Sequence, residues 1–405
     1  MVARLSLLLL ALVCVLAAPA AAAPPPVGPD GAAFYQPPAE LVPGPEGSII
    51  WARPATGLAD VPSAARTTLV LYRSQGVTGA PVAVSGTVVT PKGTPPEGGW
   101  PIAAWGHVTT GGGDVCGPST ILPGDPEQRR KLGDVAITRR LLANGIAVVR
   151  SDFEGINTPG PHPYLIGRSL ARSTINMVRA GRALEPSFAS RWLAVGHSEG
   201  GAASLWSGEF GPKLAPELEL RGVAALTPPV TTRESIELGQ LIPAKIPGLT
   251  GLNGLGALVL NGVGAAHPEV DALYRDGGLS AAALRLLPDL DSRCLTTLGR
   301  GDSWGGLVPA RIAGPRLAEL KRVVYPILDA NNPANVDVGD LPIRIDAGDL
   351  DLITPSQTII NAVRGMRRRG VDVTLKRHPF SSHPSIVRDA RPVADVTAWV
   401  TARLR

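Results

Sequence analysis

Apolar runs of four or five residues, separated by stretches of helical period, restrict this chain more than any other feature. Pro101–Trp105, Ile146–Arg150, Trp192–Val195, Gly222–Leu226, Leu341–Ile345 and Val371–Leu375 are such runs. Between them lie helical segments at 135–144, 165–184, 200–209 and 357–369, and a last one ends at Leu404. Short runs without alternation suit strands buried on both faces, so the pattern predicts a mostly parallel sheet flanked by helices. Before it, Thr67–Arg73 and Val82–Val89 alternate and are separated by turn residues, which predicts an antiparallel hairpin. The pattern breaks from 232 to 335, a Gly- and Leu-rich stretch with helical pieces and no clear strand. An insertion of about a hundred residues between two halves of one sheet predicts a helical cap above the carboxyl ends of the strands. The expected organisation is a core over 63–231 and 336–405, a cap over 232–335, and an extended Pro/Gly/Ala-rich arm over 24–62.

The start of the chain addresses it. A basic start (Met1–Arg4), an apolar run (Leu5–Leu16) and small residues (Ala17–Ala23) ahead of Pro24–Pro26 form a secretory signal over 1–23, expected to be cleaved. A run this short falls below the roughly 20 residues of a membrane span. Cleavage removes Cys14 and leaves Cys116 and Cys294, which an oxidising compartment should pair. A net charge of only +5 on 405 residues, with no basic stripe among aromatics, argues against a nucleic-acid partner. No Cys/His cluster has zinc spacing, and neither a metal nor another cofactor is expected.

Gly196-His197-Ser198-Glu199-Gly200 matches G-x-S-x-G, and so does Gly301-Asp302-Ser303-Trp304-Gly305. A nucleophile elbow is a strand-to-helix turn, so a buried strand must precede it and small residues must follow. Trp192–Val195 and Gly200–Ala203 satisfy this for Ser198. Ser303 follows Thr296–Arg300, which is no strand, and Pro309 soon interrupts what comes after. A serine hydroxyl needs a base, and the base an orienting acid, in the chain order Ser, Asp, His for an elbow of this type. His383, in the loop after the last strand, is the expected base, with His378 at the end of that strand structural and His267 in the insertion. Asp351 is the expected acid, ahead of Asp346, which is still strand-like, and Asp349, which suits a turn. A tetrahedral intermediate needs two backbone donors. One is Glu199 and the other lies in His107–Gly113, with Thr109 and Thr110 the candidates.

Four stretches together resemble the secretory lipases of the fungal lipase-A type and their actinobacterial relatives, from about residue 67 to the end. They are His107–Gly111 with Cys116–Ser119, Asp152–Gly155 with Pro161–Leu165, Gly196–Gly201, and Gly348-x-x-Asp351 with His383. The resemblance implies an α/β-hydrolase fold with a helical lid, a Ser198–Asp351–His383 triad and cleavage of acyl esters or lipids, including at a lipid–water interface. A triad of this kind also serves amides and other acyl acceptors, so a secreted peptidase or acyltransferase is the runner-up. A non-catalytic envelope-binding role conflicts with the complete set of nucleophile, base, acid and oxyanion loop.

Overall fold

A computed structural model describes residues 24–40, 43–246 and 250–405, so the signal expected over 1–23 lies outside the described residues. Among the described residues nine strands form one sheet: β1 (Ile49–Pro54), β2 (Arg66–Gln75), β3 (Pro81–Thr90), β4 (Trp100–Gly106), β5 (Ala147–Ser151), β6 (Phe188–His197), β7 (Glu219–Leu226), β8 (Ile343–Gly348) and β9 (Val373–His378). Their order is β1-β2-β3-β5-β4-β6-β7-β8-β9. Pairing is antiparallel from β1 to β5 and parallel from β5 to β9. This is the mostly parallel, helix-flanked sheet of an α/β hydrolase.

The continuous apolar runs arise because both faces are covered. Ile102, Ala104, Trp192 and Ala194 enter one core with the helices Gly167–Leu184, Glu199–Leu214 and Ser356–Arg368. Their neighbours Ala103, Trp105, Leu193 and Val195 enter another with Val135–Ala143 and Ala390–Leu404. Period-two alternation is present, but apolar residues occupy both phases.

The arm over 24–62 is more structured than its composition suggests. It supplies edge strand β1, and Val27 bridges to Ala52. Phe34, Tyr35 and Ile50 pack on Leu69 and Leu71 of β2, burial that a Pro/Gly-rich composition conceals. The helix expected from 165 begins at Gly167, because Leu165 adopts φ 59°. The elbow helix begins at Glu199 rather than Gly200 and runs to Leu214.

Between β7 and β8 the chain is helical, with Thr232–Gln240, Thr250–Ala266 and Leu317–Ala330 the longest helices. No named strand occurs there among the described residues. These helices build a further core with loop residues at the carboxyl ends of the strands. Leu258, Val263, Leu290 and Leu298 meet Phe153, Ile156, Tyr164 and Leu165.

Cys116 and Cys294 form a disulfide, with Cα atoms 5.4 Å apart and a sequence separation of 178. Beside it Gly111 bridges to Cys294 and the Leu295 N–H donates to the Thr110 carbonyl at 2.8 Å. Gly111 has φ 139°, and a β-carbon there would lie 2.8 Å from both Cys116 Sγ and Cys294 Cα. The bond therefore welds the insertion to the loop after β4. A closure of this length is worth about 5 kcal/mol in chain entropy. Reduction is expected to lower the melting temperature by roughly 5 °C. A calorimetric midpoint unmoved by reductant, with both thiols shown to be free, would contradict this.

Candidate active site

Ser198 occupies the turn between β6 and the helix Glu199–Leu214 at φ 57°, ψ −115°. Positive φ is strained for a residue with a β-carbon, and the surroundings enforce it. The Ser198 N–H donates to the Leu226 carbonyl at 2.8 Å, and the Gly200 N–H to the His107 carbonyl at 3.0 Å. The helix can come this close only because Gly106, Gly196 and Gly200 lack side chains. A β-carbon on Gly200 would stand 2.0 Å from the Gly106 oxygen. The second G-x-S-x-G match is built otherwise. Ser303 is buried at the start of a 3-10 turn and its hydroxyl donates to Asp289 at 2.5 Å.

Asp351 and His383 come together, with His383 Nδ1 2.7 Å from Asp351 Oδ2. The Asp351 carboxylate also accepts the N–H groups of Ile353 and Thr354 at 2.8 Å and the Thr354 hydroxyl at 2.9 Å. Burial pushes its pKa up, but His383 and the Thr354 donors outweigh burial and hold it below the usual range. The His383 ring packs on His197, the residue before Ser198, with ring centroids 4.7 Å apart. Burial first, and the neighbouring His383 second, depress the His197 pKa well below the usual histidine value. A neutral His197 adds no cation beside His383.

The other candidates are engaged elsewhere. Asp346 accepts from Arg344 through both oxygens and lies 2.6 Å from His378 Nε2. Asp349 takes a bidentate ion pair with Arg377. His267 lies on the insertion with its Nδ1 3.2 Å from Glu269 Oε1.

Thr109 and Thr110 are both buried in the loop after β4. Thr109 Oγ1 lies 3.0 Å from the Tyr164 hydroxyl, and Thr110 is tied by its carbonyl to Leu295. The Glu199 side chain is buried against His162, whose Nε2 is 2.7 Å from Oε1.

A model of the secretory lipase family matches residues 131–405, 275 of the 405 positions. The chain belongs to the secretory lipase family. Lipase A of Arthroderma benhamiae is 26% identical over 403 residues, covering 94% of this chain and 80% of that protein. A protein of Mycobacterium tuberculosis named as a probable inactive lipase is also 26% identical, over 409 residues, covering 93% and 83%. Among solved structures, Candida antarctica lipase A superposes with a TM-score of 0.71 at 21% identity, over 86% of this chain and 80% of that one. The rice cell wall degrading esterase LipA of Xanthomonas oryzae gives 0.70 at 20% identity, over 89% and 100%. These two likenesses establish the fold, and the family model carries the membership.

His162, Tyr164 and Asp152 received no role from the sequence, although their stretches carried part of the resemblance. Asp152 accepts from the Ser85 hydroxyl at 2.6 Å, the Ser119 N–H at 3.0 Å and Asn157 at 3.2 Å, and from the Ser119 hydroxyl. The available signal was position: a loop dense in polar and turn residues directly after a parallel strand, where sites in such sheets gather.

Proposed function

We propose that this protein, released from its signal peptide and secreted, hydrolyses carboxylic esters of lipids with Ser198 as nucleophile, His383 as general base and Asp351 as orienting acid. The observation that carries this reading is the strained Ser198 turn beside the pair of buried Asp351 and part-buried His383. With Nδ1–H given to Asp351, His383 Nε2 is left to take the Ser198 proton as Oγ attacks the acyl carbonyl. The oxyanion is held by the N–H of Glu199 and an N–H of the Thr109–Thr110 segment, and loss of one such donor costs about 10²–10³-fold in kcat. His383 gives its proton to the leaving alkoxide. It then deprotonates the water that cleaves the acyl-enzyme and returns Ser198 its proton as the acid leaves.

The insertion over 232–335 is proposed as the cap that shapes acyl selection, on a core of 63–231 and 336–405 with 24–62 as the arm. Apolar side chains stand exposed on both the insertion and the loops that carry the acid and base. Leu238, Leu241 and Leu252 are on the first, and Leu352 and Phe380 on the second. Leu352 is 84% and Phe380 87% exposed beside polar catalytic groups, a placement that suits a lipid surface or long acyl chains. The helix Thr250–Ala266 is itself partly core, so the test leaves it in place. Leu238→Asp with Leu241→Asp should lower kcat/KM on long-chain nitrophenyl esters several-fold and leave acetyl esters within about twofold. Equal losses on short and long esters would show that the insertion has no part in chain selection. Wild-type protein that cleaves no ester of any length would refute the function itself.

A further inference from the structure

The triad leaves one buried carboxylate unused, that of Glu199, next to the nucleophile. Its Oε2 is buried without a hydrogen-bond partner, while Oε1 meets His162 Nε2 at 2.7 Å. His162 Nδ1 lies 2.7 Å from the Glu154 carbonyl oxygen, which can only accept, so Nδ1 carries a hydrogen. One further proton is shared across the Nε2···Oε1 contact, as a carboxylic acid donating to imidazole or as imidazolium donating to carboxylate. Two residues on, the Tyr164 hydroxyl meets Thr109 Oγ1 at 3.0 Å. Burial first, and the nearby Glu199 second, push the Tyr164 phenol far above its usual pKa.

Ring contacts pack the segment bearing these groups. His162 stacks on Phe153 at 6.2 Å and 12°, and Tyr164 meets it edge-on at 6.0 Å. Phe153, held at φ 68°, packs in turn on His107 at 4.6 Å. One loop, 152–165, therefore grips both halves of the proposed oxyanion hole by their side chains, at Glu199 and at Thr109.

We propose that His162, Glu199 and Tyr164 form a positioning clamp that fixes the two backbone donors of the oxyanion hole. The inference rests on the functional reading above. Preorganised donors act only where they meet the developing charge, and a misplacement of about 1 Å costs on the order of 10²-fold. None of the three side chains needs to touch substrate for this.

Glu199→Gln keeps the clamp, because the carboxamide nitrogen donates to the Nε2 lone pair of the Nδ1–H tautomer. Glu199→Leu is of similar size and removes it. The expected result is kcat within about threefold of wild type for Glu199→Gln. For Glu199→Leu, kcat should fall about 10²-fold with KM within threefold, and for Tyr164→Phe about tenfold. A purely structural role would lower the melting temperature without this split of kcat from KM. Folded Glu199→Leu protein with near-wild-type kcat overturns the clamp, as does an equal loss in Glu199→Gln. Should Glu199→Leu fail to fold, unchanged kcat in Tyr164→Phe overturns it. All variants retain Ser198, Asp351 and His383. Absence of ester cleavage by the wild type would therefore count against the functional reading, and full activity in the variants only against the clamp.

Discussion

Ser198→Ala is expected to lower kcat for ester hydrolysis by at least about 10⁴-fold while leaving the melting temperature within a few degrees. The substitution removes one oxygen, little exposed, from a turn whose backbone is held by the Leu226 carbonyl and the glycine contact at Gly106. It also relieves none of the φ strain, since alanine keeps the β-carbon. Ser303→Ala is the control. Its hydroxyl donates to Asp289, so its loss should touch stability by roughly 1 kcal/mol and leave turnover intact. Equal kcat values for wild type and Ser198→Ala would remove Ser198 from the chemistry.

Asp351→Asn should cost about 10⁴-fold in kcat, because an amide in place of the carboxylate favours the wrong imidazole tautomer. It should also change the acid limb of stability. The Asp351 pKa is lowered in the folded protein, so its contribution is present above the ordinary carboxylate range and lost as pH falls through the lowered native value. Melting curves between pH 7 and pH 3 should therefore fall less steeply for the variant. Asp346→Asn breaks contacts to Arg344 and His378 instead and should act on stability before turnover. A 10⁴-fold kcat loss in Asp346→Asn with none in Asp351→Asn would transfer the acid to β8.

Much of this arrangement was legible because the constraints are local. A strand, a turn and four small residues mark Ser198, and the glycines are forced because a β-carbon on Gly106, Gly196 or Gly200 would come within 3 Å of the facing backbone. The pairing of Cys116 with Cys294 followed from compartment and count alone. Other features depend on distant partners and left no periodic trace. Edge strand β1 is stabilised by Phe34 and Tyr35 packing on β2, across a segment whose composition reads as coil. The His162–Glu199 pair spans 37 residues, and nothing in Pro161–Leu165 indicates which buried group its imidazole meets. His383 and Asp351 fall between: chain order narrows the choice, and the competing Asp346–His378 contact is visible only in three dimensions.

The most direct test of the central claim is to treat the mature protein with a fluorophosphonate and map the adduct by peptide mass spectrometry. The account predicts a single stoichiometric adduct on Ser198, lost in Ser198→Ala and His383→Ala and kept in Ser303→Ala. An unlabelled protein, or an adduct on Ser303, would contradict it.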